Sequence, residues 1–189
     1  MKRDTKNQFA PVTLLLHWIV GLTMIGLLGI GVYMVEAKAF SLFPWHKSFG
    51  ILIFGFVLLR VIWRINNGWP TPVGHYSKVE HILGHAVHWV LILGTLIMPI
   101  SGFLNSALGG FGVEFFGLEL VPKNVDPENT KKAVAFNEGF YSIAHRVHYW
   151  VGYALIGATV LHVAGALKHH IVDKDGTLRR MLGAKIFYT

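Results

Sequence analysis

The sequence predicts an all-α protein, a transmembrane four-helix bundle with up-and-down topology and both termini cytoplasmic. Three observations support this class. Hydrophobic residues make up 53% of the 189 residues and charged residues only 14%, whereas a typical soluble domain has about 25% charged residues. Three long stretches contain no charged side chain. The net charge of +7 comes entirely from one predicted side of the bundle.

Each charge-free stretch is long enough to cross a bilayer, which takes about 20 apolar residues in a helix. The stretches hold 29 residues between Lys6 and Glu36, 33 between Glu80 and Glu114, and 21 between Arg146 and Lys168. We therefore predict helix I at about residues 10–35, helix III at about 77–104 and helix IV at about 140–169.

A fourth span, helix II at about residues 43–65, has a charge-free centre of only 12 residues. That length alone also suits a buried helix of a soluble protein. However, Lys47, Arg60 and Arg64 lie near its ends, where long basic side chains can reach the membrane surface. Trp45 and Trp63 are placed as interfacial aromatic anchors. The whole chain, 1–189, is thus predicted to be one integral-membrane domain.

The segment 105–139 is rich in glycine, proline and acidic residues. We predict that it forms an outer loop with a short amphipathic helix lying on the surface.

The excess positive charge lies on one predicted side of the membrane, so nucleic-acid binding is not needed to explain the high pI. Eleven basic residues, Lys2 among them, and four acidic residues fall on the side of the termini, against six and six on the other. The positive-inside rule makes the basic side cytoplasmic.

Eleven histidines and no cysteine are present. The absence of cysteine excludes disulfides, thiolate zinc sites, iron–sulfur clusters and covalently attached c-type haem. Ionisable residues inside spans are functional by default, and neutral imidazole is a ligand for haem iron. Histidines fall within every predicted span, at His17, His46, His81, His85, His88, His148 and His162.

The spacing of these histidines predicts two haem sites. His148 and His162 are 14 residues apart, so they lie about 21 Å apart along helix IV and share one face. His46 begins helix II at the outer end and matches His148 in depth. His17 lies about two turns into helix I and matches His162. Two haems with two histidine ligands each follow, with the pairs His17/His162 and His46/His148.

Helix III leaves alternatives open. His81, His85 and His88 share one face at the inner end. His85 or His88 could replace an inner ligand, or the three could bond a haem propionate, a quinone or one another. A zinc site is a further option, with Glu80 as the nearest carboxylate.

The sequence resembles the bacterial cytochrome b561 family of four-helix dihaem membrane proteins over most of its length. The resemblance rests on LLLHWIVGL in helix I, WHKSFGI in helix II, GHAVHW with Pro99 in helix III, and HYWVGYALIGATVLHVAGALKHHIVDKDGTLRRML at the end. The haem-ligand histidines of the family match His17, His46, His148 and His162. The family includes a protein that oxidises superoxide at the outer face and reduces membrane ubiquinone, so the resemblance implies this activity in the bacterial inner membrane.

Further residues are candidates for this chemistry. A local basic patch would steer superoxide toward the outer face, with Lys38, Lys47, Lys123, Lys131, Lys132 and Arg146 as its members. Arg146 and Lys47 lie near outer ligands and could instead pair with a haem propionate. His169, seven residues after His162 and on the same face, is the candidate quinone residue, with His170 and Lys168 as alternates.

Two rival functions remain from the sequence. One is a haem-carrying anchor subunit that passes electrons from a hydrogenase or dehydrogenase partner to quinone. The other is a haem-free transporter that uses histidines as proton relays, although its helices lack paired acidic residues at mid-depth.

Overall fold

Four long helices form the protein in the computed structural model, which describes residues 3–74 and 76–186. They are α1 (Pro11–Glu36), α2 (Phe43–Asn67), α3 (Lys78–Leu108) and α4 (Glu138–Ile171), followed by the short α5 (Thr177–Met181). All four are long and apolar enough to cross a membrane. The predicted transmembrane four-helix class is confirmed, the cytoplasmic placement of the termini stays a prediction, and each predicted span lies within a few residues of its helix.

The sequence marks the start of each long helix. Pro11 and Pro44 occupy the first turns of α1 and α2, where the missing N–H costs no helical hydrogen bond. Ser77 caps α3 in a reciprocal box with Glu80: the Ser77 hydroxyl accepts from the Glu80 N–H, and the Glu80 carboxylate accepts from the Ser77 N–H. Asn137 caps α4 by accepting from the Phe140 N–H at 3.1 Å.

Both terminal segments pack at the same end of the bundle, which we call the terminal end. The buried Arg180 donates to the carbonyls of Lys6 (2.8 Å) and Thr71 (3.1 Å). The Ile186 N–H donates to Asn7 O at 2.9 Å. The N-terminal segment, the loop after α2 and the segment after α4 are thereby joined. Lys2, one of the basic residues counted above, lies outside the described residues.

The opposite end, the loop end, carries the segment between α3 and α4, and here the predicted surface helix is wrong. Residues 109–137 contain no helix but an antiparallel hairpin of β1 (Val113–Phe115) and β2 (Leu118–Val121). Phe116 and Gly117 join the strands with φ of 47° and 90°, the positive values that a two-residue type I′ turn requires. The prediction failed because the two strands are too short for their period to be visible in the sequence.

The core lies midway along the bundle and leaves much of the apolar surface outside. Its buried members are Val20, Met24, Ile53, Val57, Met98 and Leu155. Only 17–22% of the residues in the most apolar stretch of each span are buried. Such exposure suits helices surrounded by lipid, since lipid tails solvate apolar side chains.

Packing between the helices is uneven. α3 lies closely along α4, and α1 lies along α2, whereas α4 makes few backbone contacts with α1 or α2. At Gly94, a Cβ atom would lie only 2.6 Å from Leu155 Cδ2, so α3 and α4 approach more closely than any larger residue would allow. The bundle is therefore two tight helix pairs with a looser seam between them.

Candidate functional site

Two histidine pairs cross the looser seam, one toward each end of the bundle. His17 on α1 faces His162 on α4 with ring centroids 6.2 Å apart; we call this the terminal-end pair. His46 on α2 faces His148 on α4 with centroids 6.4 Å apart; this is the loop-end pair. The structure thus brings together the same residues that the spacing along the helices grouped by depth.

The separations suit two imidazoles on opposite sides of one metal ion. An imidazole nitrogen lies about 2.0–2.1 Å from a bound metal and about 1.1 Å from its ring centroid, so opposed rings stand roughly 6 Å apart. All four histidines are half-buried, and each pair bridges helices whose backbones leave room between them. The residues present therefore fit a haem that would be held between the two histidines of each pair.

His148 is oriented by two groups on α3. Its Nδ1 lies 3.1 Å from Met98 O and 3.2 Å from Ser101 Oγ. Because a carbonyl only accepts, Nδ1 carries the proton and donates to Met98, which leaves the Nε2 lone pair free for a metal. Within residues 3–74 and 76–186, the buried Nδ1 of His46 has no hydrogen-bond partner.

Two glycines lie beside the loop-end pair. A Cβ on Gly102 would lie 2.8 Å from His148 Cε1, and a Cβ on Gly31 would lie 3.5 Å from His46 Cε1. Any side chain at Gly102 would push the His148 ring from its position. The absence of a side chain at Gly102 therefore allows the approach of His148, whereas a Cβ at Gly31 would make only ordinary van der Waals contact with His46.

The three histidines of α3 have different surroundings. His88 packs edge-on against His162 with centroids 5.2 Å apart, too close for both to ligate one iron from opposite sides. His85 Nδ1 lies 2.7 Å from the carbonyl of His81. No group of three His, Cys, Asp or Glu side chains suited to a metal ion occurs among the described residues, which disfavours the zinc alternative at this position.

His169 belongs to a polar cluster at the terminal end. Its Nδ1 lies 2.6 Å from Asp173 Oδ2 and 3.8 Å from Asp175 Oδ2, and its ring lies 4.4 Å from that of Tyr76. Lys168 donates to Asp173 at 2.7 Å and also contacts Glu80. The hydrogen bonds from Lys168 and then from His169 lower the pKa of Asp173.

The remaining members of this cluster connect it to neighbouring segments. The Tyr76 hydroxyl donates to Asp175 Oδ2 at 2.8 Å, and partial burial raises the pKa of Tyr76. His169 can thus donate from Nδ1 to a carboxylate while Nε2 stays available. Such an arrangement can hold and pass a proton.

The two predicted propionate partners at the loop end have other surroundings. Lys47 donates to Gly112 O at 2.8 Å and so ties the start of α2 to the outer loop. Arg146 is exposed and precedes His148 by two residues, which turns it about 160° away around α4. Arg146 is therefore better placed to meet an anion from outside than to reach a group held by His148.

Sequence reasoning missed one residue of the site, Arg60. It was assigned to the membrane surface together with Arg64, and Arg64 does bind there, to Asp4 at 3.2 Å. Arg60 is half-buried and lies about 21 Å along α2 from His46, at the level of the terminal-end pair. The signal that could have found it is spacing, because Arg60 follows His46 by 14 residues, as His162 follows His148.

Known proteins are similar to this sequence over nearly its whole length. The family model for prokaryotic cytochrome b561 matches residues 8–184. Cytochrome b561 homolog 2 of Escherichia coli (strain K12) is 29% identical over 187 residues, covering 95% of this chain and 94% of that protein. A Yersinia pestis protein named probable superoxide oxidase CybB is 32% identical over 181 residues, covering 90% and 93%. The chain therefore belongs to the prokaryotic cytochrome b561 family and is a multi-pass membrane haem protein of electron transfer.

Proposed function

We propose that the chain holds two b-type haems, one at each histidine pair, and carries electrons from a donor at the loop end to ubiquinone at the terminal end. The observation that carries this proposal is the presence of two pairs, at ring separations of 6.2 and 6.4 Å. Their α4 members lie about 21 Å apart along the helix axis, so together they extend across most of a bilayer. When bound, haem with two histidine ligands supplies one-electron transfer with no open position for dioxygen at the iron.

The terminal end is proposed to face the cytoplasm of a bacterial inner membrane, and the loop end to face outward. The charge count supports this orientation, with eleven basic and four acidic residues on the terminal side. Basic residues close to spans are retained on the cytoplasmic side.

Haem counting tests the two-site arrangement. We expect two haems per wild-type chain by the pyridine-haemochrome assay. His17→Ala and His162→Ala should each remove one haem with the same spectrum, and His46→Ala and His148→Ala should each remove the other. His170→Ala is the matched control, since His170 is an exposed histidine at the end of α4. A single haem in the wild type, or losses that pair differently, would refute the arrangement.

Superoxide is the proposed donor at the loop end. The name of the Yersinia pestis relative, probable superoxide oxidase, supports this donor, as do unpaired cations at this end. Lys123 and Lys132 face Glu114 and Asp126 at 3.6 and 3.8 Å, so their charges are partly compensated. No carboxylate of the described residues pairs with Lys38, Lys131 or Arg146, and these three are left to attract an anion.

Stopped-flow reduction of the purified protein by superoxide tests the donor. We expect fast reduction that slows as salt rises, because steering between separated charges is screened. Arg146→Gln should slow it about two- to fivefold by weakening this steering, whereas Lys78→Gln at the terminal end should not. If the chain alone is not reduced by superoxide, the donor is instead a partner protein, as the anchor-subunit alternative requires.

Ubiquinone is the proposed acceptor at the terminal end, with His169 as its proton donor. Reduction to the quinol takes two electrons and two protons, and those protons come from the side of His169 and Asp173. The Asp173 carboxylate, 2.6 Å from Nδ1, holds the ring so that Nε2 can give a proton to a quinone oxygen.

His169→Ala is expected to slow quinone reduction by about 100-fold, the lower range for a lost general acid. Both haems should remain, because His169 lies away from either pair. His170→Ala serves as the adjacent control and should keep the wild-type rate. Unchanged quinone kinetics in His169→Ala, or loss of a haem, would contradict this role.

A further inference from the structure

The four helices share one internal register. Each places two residues 14 positions apart, one at the level of each histidine pair. The members are His17 and Gly31 on α1, His46 and Arg60 on α2, His88 and Gly102 on α3, and His148 and His162 on α4. Fourteen helical residues rise about 21 Å and return to nearly the same face.

Contacts in the structure place these residues at two levels. At the loop end, the Cβ positions of Gly31 and Gly102 approach His46 and His148 at 3.5 and 2.8 Å. At the terminal end, His88 contacts His162 with ring centroids 5.2 Å apart. Arg60 follows His46 by 14 residues on α2, so it lies about 21 Å along the helix from the loop-end level, at the level of the terminal-end pair. The loop-end level thus consists of two histidines and two glycines, whereas the terminal-end level has three histidines and an arginine.

Arg60 has no counter-ion in the described part of the chain. One turn later, Arg64 binds Asp4 at 3.2 Å and the Gly68 carbonyl at 2.7 Å. No hydrogen bond or ion pair within residues 3–74 and 76–186 engages the half-buried Arg60. Even partial burial of a cation without a partner is costly, and a guanidinium has the planar fork that binds a carboxylate at two points.

We propose that Arg60 binds a propionate carboxylate of the haem at the terminal-end pair and makes that haem the easier of the two to reduce. This proposal rests on the proposed function and adds a preferred direction of electron transfer between the two haems. A fixed positive charge stabilises the form of the site with one more electron. The glycines that occupy the equivalent positions on α1 and α3 at the loop-end level supply no such charge. Reduction is therefore favoured at the end where the quinone is proposed to bind.

Spectroelectrochemical titration of the purified, haem-loaded protein tests the proposal. Arg60→Gln should retain two haems and lower the midpoint potential of one by at least a tenfold change in the one-electron equilibrium constant, which is about 59 mV. The other potential should stay as in the wild type. Arg179→Gln, with the same charge change on an exposed residue of α5, is the control and should shift neither.

The same titration in the His46→Ala background identifies the affected haem, since only the terminal-end haem is expected there. If Arg60→Gln loses haem, Arg60→Lys is titrated instead. Lysine keeps the charge without the fork, and a fall of about threefold in the equilibrium constant is expected for it.

Equal shifts of both haems, a shift at the loop-end haem, or no shift in a variant with both haems would overturn the proposal. Failure of the proposed function looks different, because the wild-type chain would then not contain two haems.

Discussion

Adding one methyl group at Gly102 is expected to empty the loop-end site and leave the terminal-end site intact. In Gly102→Ala, the new Cβ would lie 2.8 Å from His148 Cε1 and 3.1 Å from its Nδ1. Ordinary contact begins near 3.4 Å, so the ring must retreat by about 0.6 Å. A metal site tolerates ligand distances within about 0.2 Å of the ideal values.

Neither the ring nor the helices can easily absorb this displacement. His148 is held by Met98 O at 3.1 Å and by Ser101 Oγ at 3.2 Å, both on the same helix as Gly102. α3 and α4 are also locked together at Gly94 and Leu155. Alanine itself favours a helix over glycine by about 0.5–1 kcal/mol, so the helix is expected to remain.

The assay is pyridine-haemochrome content with circular dichroism on the same sample. We expect the haem content of Gly102→Ala to fall from two per chain to about one, with helicity unchanged. Gly157→Ala is the matched control, because Gly157 lies on the face of α4 opposite His148 and has open space where its Cβ would be. Two haems in Gly102→Ala, or equal loss in the control, would refute the reasoning.

The remaining predictions concern stability, measured as thermal-unfolding midpoints in detergent. The hydrogen bonds from Lys168 and His169 lower the pKa of Asp173 in the folded protein. The Asp173 carboxylate therefore stabilises the fold fully above its ordinary pKa of about 4, and this stabilisation is lost as pH falls through the lower folded pKa. Asp173→Asn should remove this part of the loss of stability at low pH. If the unfolding midpoint of the variant depends on pH as in the wild type, the contacts of Asp173 do not stabilise the fold. Gly94→Ala places a Cβ 2.6 Å from Leu155 Cδ2 and should cost about 1–3 kcal/mol by overpacking. Adding Leu155→Ala to that variant should recover part of the loss, and a strictly additive double variant would show that the contact is not the cause.

The spans and the depth of each histidine were predictable because both depend on distances along one chain. A membrane sets the length of an apolar stretch, and a helix converts residue number into height and direction. These two relations match His17 with His162 and His46 with His148 without any tertiary contact. The structure places those rings 6.2 and 6.4 Å apart.

Other features were not predictable because they depend on which groups meet across helices. Arg60 and Arg64 look alike in the sequence, one turn apart, yet only Arg64 finds a carboxylate, supplied by Asp4 from the N-terminal segment. Lys47 stays a candidate anion contact, but the hydrogen bond that it donates to the Gly112 carbonyl could not be foreseen. Neither partner is near in sequence, so no local pattern could identify it.

The sequence by itself determined that four helices cross a membrane and that histidines lie at two depths, because solvation by lipid and helical geometry act on each segment alone. Only the tertiary structure decided which groups surround the histidines at each depth. The loop-end level is lined by glycine and is oriented through Met98, whereas the terminal-end level holds Arg60 without a counter-ion among the described residues. The physical reason is that the charge and space around a ligand are set by its neighbours on other helices, and those neighbours are chosen by packing.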